Sequence, residues 1–318
     1  MSEPALSVQP MASSSDSMVD TAHDRSSACF VCSKASDLVV WREGPYEGRV
    51  CSCGMVYTNP KPLPGSIDYT KDNHPETFYA FPAEFKASWM ARHCPPGRLL
   101  EVGCGHGAFL AASRARGYEV FGLEPHPSRA TYVEEVLGIN VEQAFLEETR
   151  LPTGSFDIVY HCDLLAHFPD PIASLQRMSR LLKPGGVLVF EVGIVGGISP
   201  TWYKLMGHLG LGHHLWLYSD HALKLLLAQS RLHIEHIEYF GLAPGVITGK
   251  NGGRLIRALV CLLSLPRIGA VPLAKTIHDL YYRWFFYFLR YRIGAIAPRI
   301  GPQTALIVAR PEEYLGPS

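Results

Sequence analysis

Net charge is missing from this chain: 29 Lys and Arg residues balance 29 Asp and Glu residues over 318 positions. A general attraction to phosphate backbones is therefore not expected, and nucleic acid is not the partner the composition suggests. Long apolar runs are missing too, so no stretch reads as a span of a bilayer. The first 27 residues, MSEPALSVQPMASSSDSMVDTAHDRSS, lack periodic apolar positions and contain acids. They do not read as a secretory signal and are expected to form a disordered tail. Eight cysteines without an export signal point to a reducing, cytoplasmic setting, where thiols bind metal or fill space. What is present is core: 47% hydrophobic residues against 18% charged predict that most of the remainder folds, as one large domain with appendages.

Residues 28–83 carry four of the cysteines and a Pro-rich connector around Asn59-Pro60-Lys61-Pro62-Leu63-Pro64-Gly65. From 84 onward, short apolar runs alternate with amphipathic stretches, the pattern of βαβ units on a parallel sheet. Strands are expected at Leu99–Val102, Glu119–Leu123, Ile139–Glu142, Phe156–Tyr160, Gly186–Val192 and Leu232–Tyr239. The last of these would pair with a final run at 304–309. A helix over Pro171–Leu182 would be stopped by Lys183-Pro184-Gly185-Gly186. Residues 84–312 thus read as one α/β domain, carrying an apolar, aromatic and basic insert at 246–303.

The clearest motif runs from Leu99 to Leu110, reading LLEVGCGHGAFL. A strand enters a glycine-spaced turn and a helix follows. Gly103, Gly105 and Gly107 let backbone approach a ligand that a Cβ would repel, and the helix start offers free N–H groups. Glu124 closes the next strand, where a carboxylate can accept hydrogen bonds from both hydroxyls of a ribose. The spacing G-x-G-x-G departs from the G-x-G-x-x-G of dinucleotide sites, which turns the expectation away from NAD.

These residues are followed in order by Leu151-Pro152-Thr153-Gly154-Ser155-Phe156-Asp157, by His167-Phe168-Pro169-Asp170-Pro171 and by Leu181-Leu182-Lys183-Pro184-Gly185-Gly186. Together they make residues 84–240 resemble the class I S-adenosylmethionine-dependent methyltransferases, in the group whose domain also occurs in quinone-biosynthesis enzymes. The resemblance implies a Rossmann-like sheet of seven strands with the last antiparallel, and S-adenosylmethionine as cofactor. It implies that Glu101 and the glycines hold that cofactor, that Glu124 takes the ribose, that Phe145 and Leu146 flank the adenine, and that His161 and Cys162 lie near the methionine portion.

Methyl transfer from a sulfonium is an in-line displacement, and a hydroxyl acceptor needs a base near neutral pH, most often His. His167 is the first candidate, because it follows the fourth strand at the end where such sheets bind ligands, with Asp163 one helical turn earlier. In the quinone O-methyltransferases that the segment resembles, acids and a His hold a divalent metal. Ala166 replaces one of those acids, so no catalytic metal is expected. The alternative is that His167 only orients a loop. His214, in the run His213-His214-Leu215-Trp216-Leu217-Tyr218-Ser219, is the second candidate; its alternative is a place beside the cap Ser219-Asp220 of a helix at Ala222–Gln229. The expected activity is methylation, by O-methyl transfer, of a small-molecule, sugar or lipid-linked acceptor. Two other readings stand beside it: ribosomal RNA methylation, opposed by the zero net charge, and a non-catalytic cofactor-binding scaffold, opposed by the intact glycines and acids.

Cys29-x-x-Cys32 and Cys51-x-Cys53 together offer four thiolates to one structural zinc. The leader also resembles that of methyltransferases acting on sugars, lipids and secondary metabolites, through Cys53-Gly54-Met55-Val56-Tyr57-Thr58-Asn59-Pro60, although that group spaces the second pair by two residues. The alternative is a small β-rich cap with free thiols. Cys94, Cys104, Cys162 and Cys261 lack paired spacing and read as packing residues. In the insert, Asp279 is the only acid between Arg254 and Arg299. Arg254, Arg257, Arg267, Lys275, Arg283, Arg290, Arg292 and Arg299 flank apolar runs, so the insert reads as a helical lid, a homodimer contact or a peripheral contact with anionic membrane at its inner face.

Overall fold

The computed structural model describes residues 23–24, 28–62, 76–242, 246, 288–296 and 300–312. Its centre is a seven-stranded sheet. The strands are β6 (Arg98–Val102), β7 (Glu119–Leu123), β8 (Val141–Glu142), β9 (Phe156–Cys162), β10 (Leu182–Ile194), β12 (Leu232–Gly241) and β13 (Gln303–Pro311), in the spatial order β12-β13-β10-β9-β6-β7-β8. The pairs among β8, β7, β6, β9 and β10 are parallel, and β13 runs antiparallel to both of its neighbours. The expected α/β architecture and its antiparallel last strand are both present. Leu99–Val102 is buried at every position, because a parallel sheet has both faces covered. One face packs on α1 (Glu76–Ala91) and α2 (Ala108–Arg114), the other on α4 (Pro171–Leu181) and α6 (Asp220–Gln229).

α4 shows how locally the sequence acts. Asp170 accepts a hydrogen bond from the Ala173 amide at 2.9 Å, Pro171 opens the helix, and Leu175, Met178 and Leu181 line its buried stripe. The helix stops at Leu181 rather than Leu182, since Leu182 is already extended and begins β10 before the expected Gly186. The third strand contracts to Val141–Glu142 because Ile139 instead folds back, its amide on the Val133 carbonyl at 3.1 Å. α1 also crosses the boundary expected between residues 83 and 84.

The N-terminal module is an antiparallel sheet of β2 (Val39–Glu43), β3 (Tyr46–Val50) and β4 (Val56–Asn59), and its fourth strand comes from far along the chain. β11 (Trp216–Leu217) pairs with β4, while the next residue, Tyr218, bridges to Ile194 at the end of β10. Three residues therefore stitch the module to the main sheet. In the expected tail, β1 (His23–Asp24) pairs with β5 (Lys61–Pro62), and the rest of residues 1–27 lies outside the described residues.

Most of the insert at 246–303 also lies outside the described residues, so its readings as lid, dimer contact or membrane contact are not addressed there. The part that is described packs inward. Tyr291 is 2% exposed and stacks on Phe85 at 4.3 Å between ring centroids. Arg290, counted above among cations available to lipid, is instead ion-paired with the fully buried Glu191. A buried carboxylate attracts a guanidinium more strongly than any solvated surface does. Among the described residues no helix is long and apolar enough to cross a membrane.

The stitch predicts a sensitive position. A Cβ at Gly196 would stand 2.5 Å from the Leu217 oxygen and 2.6 Å from both the Gly54 oxygen and the Ser219 nitrogen, all of them backbone. Gly196→Ala should cost about 1–3 kcal/mol through overpacking, read as a lowered denaturation midpoint.

Candidate active site

The glycine turn sits where the strand order reverses, between the carboxyl ends of β6 and β9, which is the crevice such sheets offer to ligands. Two bonds pin the turn to β7: the amides of Gly103 and Cys104 donate to the Leu123 carbonyl at 2.7 and 3.2 Å. Gly103 and Gly107 have φ of 69° and 72°, and a Cβ on either would also strike a leucine side chain at 2.9 Å. Gly105, at φ 54°, differs: a Cβ there would meet nothing within 4 Å. Its glycine answers to backbone conformation and leaves space over the turn free.

Glu124 and Glu101 meet this turn in different states. Glu124 is 4% exposed; one carboxylate oxygen accepts the Gly105 amide at 2.8 Å and the other the His126 amide at 3.0 Å. Both bonds hold the group in place, and each oxygen keeps a second lone pair for a hydroxyl. Glu101 is 5% exposed, and its Oε2 has no hydrogen-bond partner. Burial pushes its carboxyl well above the ordinary range, with the Glu124 charge adding and Lys86 opposing. An orphaned buried carboxylate oxygen is suited to a cationic ligand group, and S-adenosylmethionine carries both an ammonium and a sulfonium. The residues present therefore fit that cofactor. Of the others expected around it, Phe145 is 54% exposed and Leu146 is buried. The His161 ring is fully buried, stacked on Phe190 at 5.0 Å, with both nitrogens unpartnered, and burial pulls it down to about 3. Its side chain is thus a neutral core element. Cys162 accepts a hydrogen bond from Lys86 Nζ at 2.9 Å.

Beyond β9 the chain turns at Asp163, which takes the left-handed conformation at φ 54°. His167 and His214 come together there, 4.9 Å apart between ring centroids. His167 Nδ1 lies 2.9 Å from the His213 carbonyl, and His214 Nδ1 lies 2.8 Å from the Leu209 carbonyl. A carbonyl can only accept, so both Nδ1 atoms carry a proton, and Nε2 is the nitrogen left to accept one in the neutral ring. Burial, with His214 adding, lowers His167 to about 4, which keeps it neutral at physiological pH. Ser219 does cap α6, accepting the Ala222 amide at 3.0 Å, so the cap and the histidine pair coexist.

The four N-terminal cysteines also converge. Cys29–Cys32 and Cys51–Cys53 lie on two tight turns, closed by Ser33 N–H to Cys29 O and Gly54 N–H to Cys51 O, both at 2.8 Å. Cys29 Sγ and Cys53 Sγ are 3.6 Å apart, Cys32 Sγ and Cys51 Sγ 3.0 Å, and all four sulfurs lie within 4.8 Å of one another. A tetrahedron with zinc–sulfur bonds of about 2.3 Å has edges of roughly 3.8 Å, so the donor set and its spacing fit zinc despite the short Cys51-x-Cys53 step.

Sequence reasoning missed the group behind the site. Glu191, with no exposure, pairs with Lys86 Nζ at 2.7 Å and with Arg290, and accepts from the Tyr291 hydroxyl at 3.2 Å. The available signal was an acid set in the apolar run Val187-Leu188-Val189-Phe190-Glu191-Val192 and the lone lysine of α1.

A family profile described as a methyltransferase domain matches residues 78–237, 160 of the 318 positions, and the chain belongs to that family. The ubiquinone biosynthesis O-methyltransferase of Histophilus somni (strain 2336) is 32% identical over 104 residues, 30% of this chain and 44% of that protein. The protein of the same name from Xanthomonas oryzae pv. oryzae (strain PXO99A) is 38% identical over 98 residues, 29% of this chain and 41% of that one. The chain thus spans less than half the length of these curated relatives. Among solved structures, the MccD protein is similar in fold, with a TM-score of 0.50 and 12% identity over 72% of this chain and 97% of its own.

The two acids should separate in calorimetry with S-adenosylmethionine. Glu124→Ala removes hydrogen bonds to a charged acceptor and should weaken binding by about 1–3 kcal/mol; unchanged affinity refutes the ribose role. For Glu101, the free protein holds the carboxyl above its ordinary value and a bound cation draws it down. Affinity should therefore rise with pH between the bound and free pKa and level off above the free one. Glu101→Gln should weaken binding and flatten that pH dependence.

Proposed function

We propose that this member of the methyltransferase-domain family transfers a methyl group from S-adenosylmethionine to the hydroxyl of a small-molecule acceptor, with His167 as the base and His214 beside it. The observation that carries this reading is the histidine pair: two imidazoles 4.9 Å apart between ring centroids, each with Nδ1 on a backbone carbonyl, beyond the carboxyl end of β9. Bound at that turn, the cofactor supplies an electrophilic methyl on a sulfonium. Glu101 would balance its positive charge, and Glu124 would hold the ribose in register. With that cofactor bound, Nε2 of His167 would take the hydroxyl proton as the acceptor oxygen takes the methyl and the thioether leaves. A neutral imidazole can take that proton at pH 7, and burial keeps His167 neutral while lowering its basicity. The name of the relatives, O-methyltransferases of ubiquinone biosynthesis, agrees with a hydroxyl acceptor.

The acceptor fraction is found by incubating the protein with methyl-labelled S-adenosylmethionine and fractionated cell extract. Against that fraction, His167→Ala should lower turnover by roughly 10²–10⁴-fold while cofactor affinity survives. If His167→Ala and His214→Ala both retain normal turnover, neither is the base and an amine or carbon acceptor replaces the hydroxyl.

We also propose that Cys29, Cys32, Cys51 and Cys53 hold one structural zinc. The purified protein should contain about one zinc per chain, and Cys53→Ser should lose it and loosen the module. Freshly purified protein without zinc refutes this.

A further inference from the structure

We infer that Glu43, on the N-terminal module, is a positioning residue for His214: it fixes the backbone of the turn whose carbonyl selects the imidazole tautomer. The inference rests on the reading of the histidine pair given above.

Glu43 ends β2, outside the segment matched by the methyltransferase family, and is 16% exposed at its side chain. Its two carboxylate oxygens reach a turn far along the chain. Oε1 accepts from the Leu209 amide, and Oε2 accepts from the Leu211 amide at 2.9 Å. Oε1 also takes the Trp41 indole N–H at 2.8 Å, and His208 Nδ1 lies 3.3 Å from Oε2. Burial alone would raise this carboxyl, but the two amides outweigh it and hold Glu43 below the ordinary carboxylate range, so it is ionised.

The residue thus held is the one that meets His214. The Leu209 carbonyl is the acceptor for His214 Nδ1 at 2.8 Å. The rest of the turn is equally tight. The amides of His213 and His214 both return to the Gly210 carbonyl, at 2.8 and 2.7 Å, and a Cβ on Gly210 would stand 2.9 Å from His214 Nδ1. From the same module, the Thr58 hydroxyl donates to the His214 carbonyl at 2.5 Å. His214 is therefore gripped by its backbone through Thr58 and by its ring through Leu209, and Glu43 sets where the Leu209 peptide lies. Were that carbonyl to move, nothing else named here would prefer Nδ1–H over Nε2–H, and the lone pair would no longer face the acceptor reliably.

Only a carboxylate fills this role completely. Two N–H donors need two acceptor oxygens, whereas a glutamine offers one oxygen and sets its own N–H₂ against the second donor. Glu43→Gln keeps shape and removes the function.

The test reads the tautomer directly, by long-range ¹H–¹⁵N correlation of the histidine rings in the zinc-loaded protein with S-adenosylhomocysteine. In the unaltered protein His214 should show the Nδ1–H form. In Glu43→Gln its two nitrogen shifts should move toward each other as the tautomers mix, while exposed His233 stays unchanged. Glu43→Asp, which keeps the charge but shortens the reach, should show a smaller shift in the same direction and serves if the glutamine variant does not fold. Zinc content and affinity for S-adenosylhomocysteine should be unaltered. Methyl uptake by the labelled extract fraction should fall roughly tenfold or more in Glu43→Gln, with no further loss when Glu43→Gln is added to His214→Ala. An unchanged His214 spectrum in the folded, zinc-loaded variants, or losses that multiply in the double variant, overturns the inference. If His214→Ala retains full methyl transfer while Glu43→Gln still mixes the tautomers, the assignment of His214 beside the base fails and the positioning by Glu43 stands.

Discussion

A carboxylate without water organises one wall of this molecule. Glu191 has no exposure and sits in the carboxyl half of β10, where leaving it unpaired would cost several kcal/mol. Its partners come from three separate parts of the chain: Lys86 from α1, Arg290 and Tyr291 from the described part of the insert, and Thr304 from β13. The helix before the sheet and that part of the insert are thereby tied to one point. Lys86 also donates to Cys162, the last residue of β9, so the same point borders the end of the strand that leads to His167. Burial alone would raise the Glu191 carboxyl, and the two cations outweigh it and keep it ionised. The wall is held by charge balance as much as by apolar packing.

The cysteine module belongs to the same construction. β4 takes β11 as a neighbour, Ser219 donates to the Cys53 carbonyl at 2.8 Å, and Gln229 reaches the Val31 carbonyl at 2.9 Å. Phe30 packs on Trp216, whose indole N–H in turn reaches the Phe168 carbonyl beside His167 at 2.9 Å. Hydrogen bonds and ring contacts thus run without a gap from the cysteine turns to the histidine pair. A leader that reads as an appendage in the linear sequence is, in space, packed against the corner that holds the histidine pair.

The paired acids of the cofactor turn follow a similar economy. Glu124 has a backbone donor on each oxygen and so stays oriented, while Glu101 keeps a buried oxygen without a hydrogen-bond partner. The two residue types are identical; their environments set them apart, one carboxylate bound by two amides and the other left open.

Much of this was legible in the chain. The seven strands, the glycine turn, Glu101 and Glu124, the Ser219 cap and the four converging cysteines all follow from local rules: burial on both faces of parallel strands, positive φ at glycine, a side-chain oxygen at a helix start, and paired thiols on tight turns. Such rules act over a few residues and are therefore written in order along the sequence. What sequence reading misplaced or missed depends on residues that meet only after folding. Arg290 reads as a surface cation in the sequence, and only the fold sets Glu191 against it. Glu43 gave no sign of reaching Leu209 and Leu211, since 166 and 168 residues separate them. Long-range pairing of charges and peptide groups depends on distances that only the packed sheet, with its module stitched on through Trp216–Tyr218, brings down to hydrogen-bond length.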